Sequence, residues 1–202
     1  VISAGESLPR ELNRRLSSEL QTEVYNEYGP TETTVWSTVY QVADEIDRAT
    51  VPIGKPVPGT QVYILDNKMA LVPIGVQGEL YIGGKGVAAG YLNQPELSAE
   101  KFVANPFDQG QTRLYKTGDA ARFDKDGNIE FVGRVDRLVK IQGFRVELSE
   151  VEAVLGEHQD VQKCIAVVSE TKLGHKYLCA YVLPAENITH EIDTQEIKEY
   201  VK

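Results

Sequence analysis

Apolar residues recur four apart at Leu8, Leu12, Leu16 and Leu20, a stripe that predicts a helix from about Pro9 to Leu20 with Ser7 placed to cap it. Glu23–Tyr25 reads next as a short buried strand. It leads into Asn26-Glu27-Tyr28-Gly29-Pro30-Thr31-Glu32, which its Gly-Pro pair marks as a loop. From Ile53 to Val132 the pattern changes to short apolar runs divided by turn residues. Gln61–Leu65, Gly78–Ile82, Leu114–Lys116, Ala121–Phe123 and Ile129–Val132 are the predicted strands, with Lys125-Asp126-Gly127-Asn128 as a hairpin turn. A short helix is expected near Ser98–Phe102. Many short strands separated by Gly and Pro point to a small barrel or a distorted sheet.

Beyond Arg134-Val135-Asp136 the organisation shifts again. Leu138–Ile141 and Phe144–Glu147 flank Gln142-Gly143 as a hairpin. A helix follows from Ser149 to about Glu157, with Val151, Val154 and Leu155 on one face. Val161–Val168 and Tyr177–Leu183 read as strands, and a last helix starts near Asp193. The predicted fold is mixed α+β. Residues 1–135 form one domain containing a β-rich, barrel-like region at 51–133, and residues 136–202 form a small α+β unit near the lower size limit for independent folding. No internal repeat is visible.

Composition narrows the function. Among 202 residues, 42% are hydrophobic, enough for a core, and the net charge is -9 with the acidic residues scattered. Lys and Arg form no basic stripe, which argues against nucleic acid or an anionic membrane as partner. No apolar run reaches the roughly 20 residues needed to cross a bilayer. Cys164 and Cys179 each lie in an apolar run and read as buried thiols in a reducing, cytoplasmic setting. His158, His175 and His190 lack metal-ligand spacing with each other or with the cysteines. The chain opens at Val1 inside an apolar run and stops at Lys202 inside a helical pattern, so a fragment of a longer protein is expected.

Four segments could carry chemistry, and each has a plainer structural reading. Tyr28 to Thr34 would expose backbone amides and the hydroxyls of Thr31, Thr33 and Thr34, as an anion site requires. Glu32 offers a hard oxygen for magnesium, and Tyr28 a flat face for a base. The same residues also describe an ordinary polar loop. Gly83-Gly84-Lys85-Gly86 superficially resembles a nucleotide loop, but no Ser or Thr follows the lysine and no long helix comes next, so tight turning and close packing are preferred. Asp119, after Gly118 at a strand end, could accept hydrogen bonds from both ribose hydroxyls, or simply belong to a turn. Arg134 and Arg145 could clamp phosphate or ribose oxygens, with Gly143 letting the hairpin tip approach a ligand. Solvated charges on a surface hairpin would look the same.

The order of these segments is more specific than any one of them. Asn26-Glu27-Tyr28-Gly29-Pro30-Thr31-Glu32, Gly78-Glu79-Leu80-Tyr81-Ile82-Gly83-Gly84, Tyr115-Lys116-Thr117-Gly118-Asp119, and Gly133-Arg134-Val135-Asp136 through Gly143-Phe144-Arg145-Val146-Glu147 resemble the consecutive core motifs of nonribosomal peptide synthetase adenylation domains, within the adenylate-forming superfamily. The resemblance spans essentially the whole chain. It implies the end of a large adenylating subdomain followed by a small C-terminal one. By motif, Tyr28 would stack on adenine and Asn26 would bond its amino edge. Thr31 would contact the α-phosphate and Glu32 would hold magnesium, while Asp119 would bind the ribose hydroxyls with help from Arg134. Asp136 would be the hinge between subdomains. Arg145 and Gly143 would lie on the hairpin that reaches the active site for thiolation. Ile2, Ala4, Glu27, Val35 and Trp36 match positions lining the amino-acid pocket, with no substrate drawn from them.

The implied cofactors are ATP and magnesium, with phosphopantetheine carried by a partner. The implied partners are an amino-acid substrate, a peptidyl or aminoacyl carrier protein, neighbouring synthetase domains and, in some relatives, a small MbtH-like helper. Two departures stand out. Lys116 replaces a frequent Arg, keeping the charge but not the fork, and Gln142 replaces an Arg common before the Gly. The family's phosphate loop and catalytic lysine are expected outside residues 1–202, so the chain alone is expected to be inactive. An acyl- or aryl-CoA synthetase of the same superfamily, and a non-catalytic carrier-docking module, remain the rival readings.

Overall fold

Leu8, Val24 and Val51 come from three separated stretches and close one small core, against which Leu16, Tyr40, Val42 and Ile46 pack. This cluster fastens helix α1 (Arg10–Leu20) to a four-stranded sheet of β1 (Ile2–Ala4), β2 (Tyr25–Tyr28), β3 (Thr38–Gln41) and β4 (Lys55–Pro56). The computed structural model describes residues 1–42, 46–135, 138–141, 144–171, 175–185 and 194–200. They divide into two units, Val1–Asp136 and Arg137–Lys202. The predicted cap is corrected. Pro9, not Ser7, precedes the helix, and it makes no side-chain cap bond. Its fixed φ suits the helix start. The leucine stripe divides as well, with Leu8 buried and Leu12 and Leu20 exposed.

The β-rich region is a curled half-barrel of five strands. Strands β5 (Thr60–Leu65), β6 (Gly78–Gly84), β8 (Arg113–Phe123) and β7 (Phe102–Ala104) lie in that order, and β9 (Ile129–Arg134) pairs with β8. Its inner face buries Ile53, Ile64, Leu80, Ala121 and Ile129. Leu114–Lys116 and Ala121–Phe123 belong to one eleven-residue strand rather than two, because β8 passes through Gly118 with a positive φ and irregular registers on both neighbours. The short helix α2 runs Pro95–Lys101, slightly ahead of the predicted span. The β8–β9 turn sits where the sequence places it. Asp124 accepts the Asp126 and Asn128 backbone N–H groups at 2.9 and 2.8 Å, the Asn128 amide at 3.2 Å and Arg48 at 3.0 Å. Burial raises the Asp124 pKa, but these donors outweigh it, so the net shift is downward.

In the second unit β10 (Leu138–Ile141) pairs antiparallel with β11 (Phe144–Glu147). Helix α3 (Leu148–Gly156) packs on β12 (Val161–Glu170), which pairs with β13 (Lys176–Pro184). Leu155, Val161 and Ile197 of α4 (Thr194–Tyr200) close this core. Leu148 is buried in α3, whereas Val154 is exposed, contrary to its predicted inward face. Cys164 and Cys179 are free thiols of intermediate exposure rather than buried ones. Among the described residues no helix is long and apolar enough to cross a membrane.

Candidate functional site

The residues of the Tyr-Gly-Pro-Thr motif begin as a strand, not as a loop. Asn26, Glu27 and Tyr28 lie in β2, and the chain leaves the sheet only at Gly29. Alternation along β2 sends Asn26 and Tyr28 to one face and Tyr25 and Glu27 to the other. The parallel register pairs Ile2 with Tyr25 and Ala4 with Glu27. Ile2, Ala4 and Glu27 therefore share the face opposite Asn26 and Tyr28. The sheet separates the residues matched to a substrate pocket from those matched to nucleotide recognition.

On the second face Tyr28 reaches across to the half-barrel. Its phenol donates a short hydrogen bond to Asp119 Oδ2, and Arg134 donates to Asp119 Oδ1 at 2.8 Å. The β8–β9 register sets Asp119 directly opposite Arg134. Asp119 is 7% exposed, and its own N–H donates to Thr117 Oγ1 at 3.0 Å. Burial first, and then the Asp119 carboxylate, push the Tyr28 phenol well above its ordinary pKa, so it remains a hydrogen-bond donor. Asn26 is 2% exposed and its amide donates to the Pro52 carbonyl at 2.8 Å. That bond, with a longer one at 3.4 Å to the Val51 carbonyl, ties β2 to the 51–53 segment.

After Gly29 the chain makes a 3-10 turn, Thr31–Thr33. The predicted row of outward hydroxyls is corrected. Thr33 is buried, with Oγ1 2.6 Å from Ser37 Oγ, and Thr34 Oγ1 donates to the Gly86 carbonyl at 2.8 Å. Thr31 and Thr34 are both exposed, and of the three hydroxyls that of Thr31 alone makes no such bond among the described residues. The turn folds back because a second loop sits against it. A Cβ on Gly86 would lie 2.7 Å from the Thr33 carbonyl oxygen, and the Ala88 N–H donates to the Glu32 carbonyl at 2.9 Å. The Gly83–Gly86 segment thus acts as a packing element, the role its sequence favours. A Cβ on Gly29 would stand 2.3 Å from the Val35 carbonyl oxygen. Thr34 and Val35 both carry positive φ, 62° and 70°. For a β-branched residue this is a sparsely populated conformation costing about 1–3 kcal/mol, held by its surroundings. It presents Val35 and Trp36 to solvent, 63% and 51% exposed.

Glu32 is 8% exposed, and Tyr91 donates to its Oε1 at 2.7 Å. Burial first, then bonding to Glu32 and Tyr115, raise the Tyr91 pKa far above the tyrosine norm. The Tyr91 N–H is held by Ser98 Oγ at 2.8 Å, and its ring meets Phe102 edge-on. Sequence reasoning missed Tyr91. The only available signal was its place in the Gly90-Tyr91 step after the glycine loop. Among the described residues no group of three or more His, Cys, Asp or Glu could cage a metal. A magnesium ion here would take one Glu32 oxygen and otherwise phosphate or water, which is how magnesium is usually held in phosphate-transfer sites.

Tyr28, Asp119, Arg134, Glu32 and Thr31 all belong to the first unit. Asp136 and Gly143 lie outside the described residues. The Arg145 backbone sits in β11 opposite Lys140.

A family profile described as "AMP-binding enzyme" matches residues 1–92, and one described as "AMP-binding enzyme C-terminal domain" matches residues 150–202. A dimodular nonribosomal peptide synthase of Bacillus subtilis (strain 168) is 46% identical over 201 residues, covering 100% of this chain and 8% of its own length. Among solved structures, NpsA-ThdA, an artificially fused Adenylation-PCP di-domain from Klebsiella oxytoca, aligns at 28% identity and a TM-score of 0.79, covering 100% of this chain and 37% of that one. The Vibrio cholerae adenylation domain AlmE in complex with glycyl-adenosine-5'-phosphate aligns at 29% identity and a TM-score of 0.81, covering 90% and 35%.

Proposed function

This chain belongs to the AMP-binding enzyme family, among nonribosomal peptide synthetase adenylation domains, and from that premise we propose that the whole protein activates an amino acid with ATP and loads it on a carrier protein. The chain spans 8% of the length of its Bacillus subtilis relative, so the activity is proposed for the longer protein. The 202-residue chain by itself is proposed to be silent.

The observation that carries this reading is the bridge Tyr28–Asp119–Arg134, which brings two separate sheets together at one polar point beside the Thr31–Glu32 turn. An aromatic face, a carboxylate held by an arginine, an exposed threonine and a second carboxylate suit the base, ribose and phosphates of one nucleotide. In the proposed first step a substrate carboxylate oxygen attacks the α-phosphorus of ATP, and pyrophosphate leaves. Tyr28 stacks on adenine, Asp119 accepts from the ribose hydroxyls, and Arg134 orients that carboxylate. Thr31 donates to the α-phosphate. Magnesium, taken by Glu32, would neutralise phosphate charge. In the second step a phosphopantetheine thiol attacks the acyl carbon and AMP leaves. Positioning and charge stabilisation supply most of the rate.

We assign the hinge role to Asp136 and the thiolation hairpin to Gly143 and Arg145. The carrier partner is supported by a neighbour in which an adenylation domain is fused to a PCP, and the aminoacyl-adenylate by AlmE, whose structure holds glycyl-adenosine-5'-phosphate. Pyrophosphate exchange by the full-length protein tests the proposal with three panels: amino acids, aryl acids and fatty acids. Exchange driven by amino acids is expected. Exchange driven only by aryl or fatty acids would place the protein with the CoA synthetases instead.

A further inference from the structure

On the face of the first sheet that turns away from Tyr28 and Asp119, one polar atom is left over. Glu27 Oε2 is buried and has no hydrogen-bond partner among the described residues. Buried carboxylate oxygens are almost always satisfied, because leaving one unpaired costs the full desolvation of a charged group. Such an acceptor therefore points to a donor that arrives from elsewhere.

The surroundings of Glu27 say what kind of donor. Its register partners are Ala4 on β1 and Val39 on β3, and Ile2 lies one pair further along the same face. Ile2 is 57% exposed, an apolar side chain with little of this chain over it. Past the end of β2, Val35 and Trp36 are also exposed, held out by the left-handed backbone of Thr34 and Val35. A second carboxylate stands at the start of the strand. Glu23 accepts from the Tyr25 phenol at 2.9 Å and from the Gln41 amide at 3.1 Å. The face is thus apolar in its contact surface and negative at its polar points, with one carboxylate oxygen unspent. A methylene stem capped by a cationic donor matches it. The stem would cover Ile2 and Ala4, and the ammonium or guanidinium head would bond Glu27.

We propose that Glu27 selects the acid that is activated, and that this acid is an amino acid with a basic side chain. The proposal rests on the adenylating function proposed above and deepens it. An apolar substrate would leave the Glu27 carboxylate unpaired next to it. A site built to meet a donor rejects the analogue that lacks one far more strongly than a site that merely fits shape.

The test is pyrophosphate exchange by the full-length protein and by its Glu27→Gln and Glu27→Leu variants, with ornithine, lysine and arginine against leucine, phenylalanine and glutamate. Expected for the unmodified protein is a preference of about 100-fold or more in kcat/KM for one of the basic acids. Glu27→Leu should erase that preference and raise leucine or phenylalanine relative to it, with the KM for ATP unchanged. Glu27→Gln keeps shape and an acceptor but loses charge, and should lose most of the preference too. Should Glu27→Leu fail to fold, the Gln variant still decides. A neutral or acidic amino acid as best substrate overturns this inference and leaves the adenylating function standing. So does a basic preference that survives both substitutions, because the carboxylate would then be paired within the protein. Exchange driven by no amino acid at all removes both.

Discussion

Replacing Tyr28 by Phe removes one oxygen and keeps the ring, so it isolates one side-chain bond between the two sheets of the first unit. In the native chain Asp119 holds Tyr28 on one oxygen and Arg134 on the other, and it is 7% exposed. A hydrogen bond to a charged, largely buried acceptor contributes about 1.5–3 kcal/mol. With a urea dependence of about 2 kcal/mol per molar, the unfolding midpoint of this unit should fall by about 1 M. Trp36 is the only tryptophan, it is half exposed, and it lies in the same unit, so its fluorescence reports this transition.

The pH dependence gives a second and sharper readout. The folded pKa of Tyr28 is raised above its unfolded value of about 10, so the folded state keeps the proton longer. The stability this bond supplies is fully present below pH 10 and is lost as pH rises through the folded value, at about 1.4 kcal/mol per pH unit for one proton. Tyr81 and Tyr91 are shifted the same way but are common to both proteins, so the difference between them isolates Tyr28. The gap between native protein and variant should be constant from pH 7 to 9 and should close above pH 10. A midpoint unchanged by Tyr28→Phe, or a gap that widens with alkali, would refute the bridge.

Other outcomes follow from the same contacts. Tyr91→Phe in the full-length protein removes the donor on Glu32 Oε1 while leaving the ring against Phe102. The magnesium concentration for half-maximal exchange should shift severalfold, with the amino-acid KM nearly unchanged, and an unchanged magnesium curve would deny Tyr91 its positioning role. Asp124→Asn removes a carboxylate whose pKa is depressed in the fold, so its contribution is present above the unfolded pKa and lost as pH falls through the folded one. Urea midpoints should therefore differ most between pH 5 and 7 and converge toward pH 2–3. A difference that persists in acid would point to packing instead of charge.

Much of this protein was legible from its residues alone. The β8–β9 turn is local chemistry, because Asp124 collects the N–H groups of its own turn. The β10–β11 hairpin and the alternation of strand and helix after residue 148 follow from periodicity over neighbouring positions. The order of the four motifs needs no coordinates either. Their residues belong to a family whose order is written along the chain.

What the tertiary structure decided are the partners. Tyr28 finds Asp119 across 91 positions, and Tyr91 finds Glu32 across 59. No periodicity encodes such pairs, because strand order and register set them, and a shift of one residue would turn each side chain to the opposite face. The same holds for Thr33 and Thr34, hydroxyls that sequence spacing offers to a ligand and that the fold spends on Ser37 and Gly86. It holds again for Glu27, whose residue type is plain in the sequence. Only its place in β2 puts it beside Ala4 and leaves one of its oxygens without a partner among the described residues. Local sequence selects conformations over a few residues. Which polar groups meet is fixed by packing between segments far apart in the chain, where the cost of burying an unpaired charge decides the arrangement.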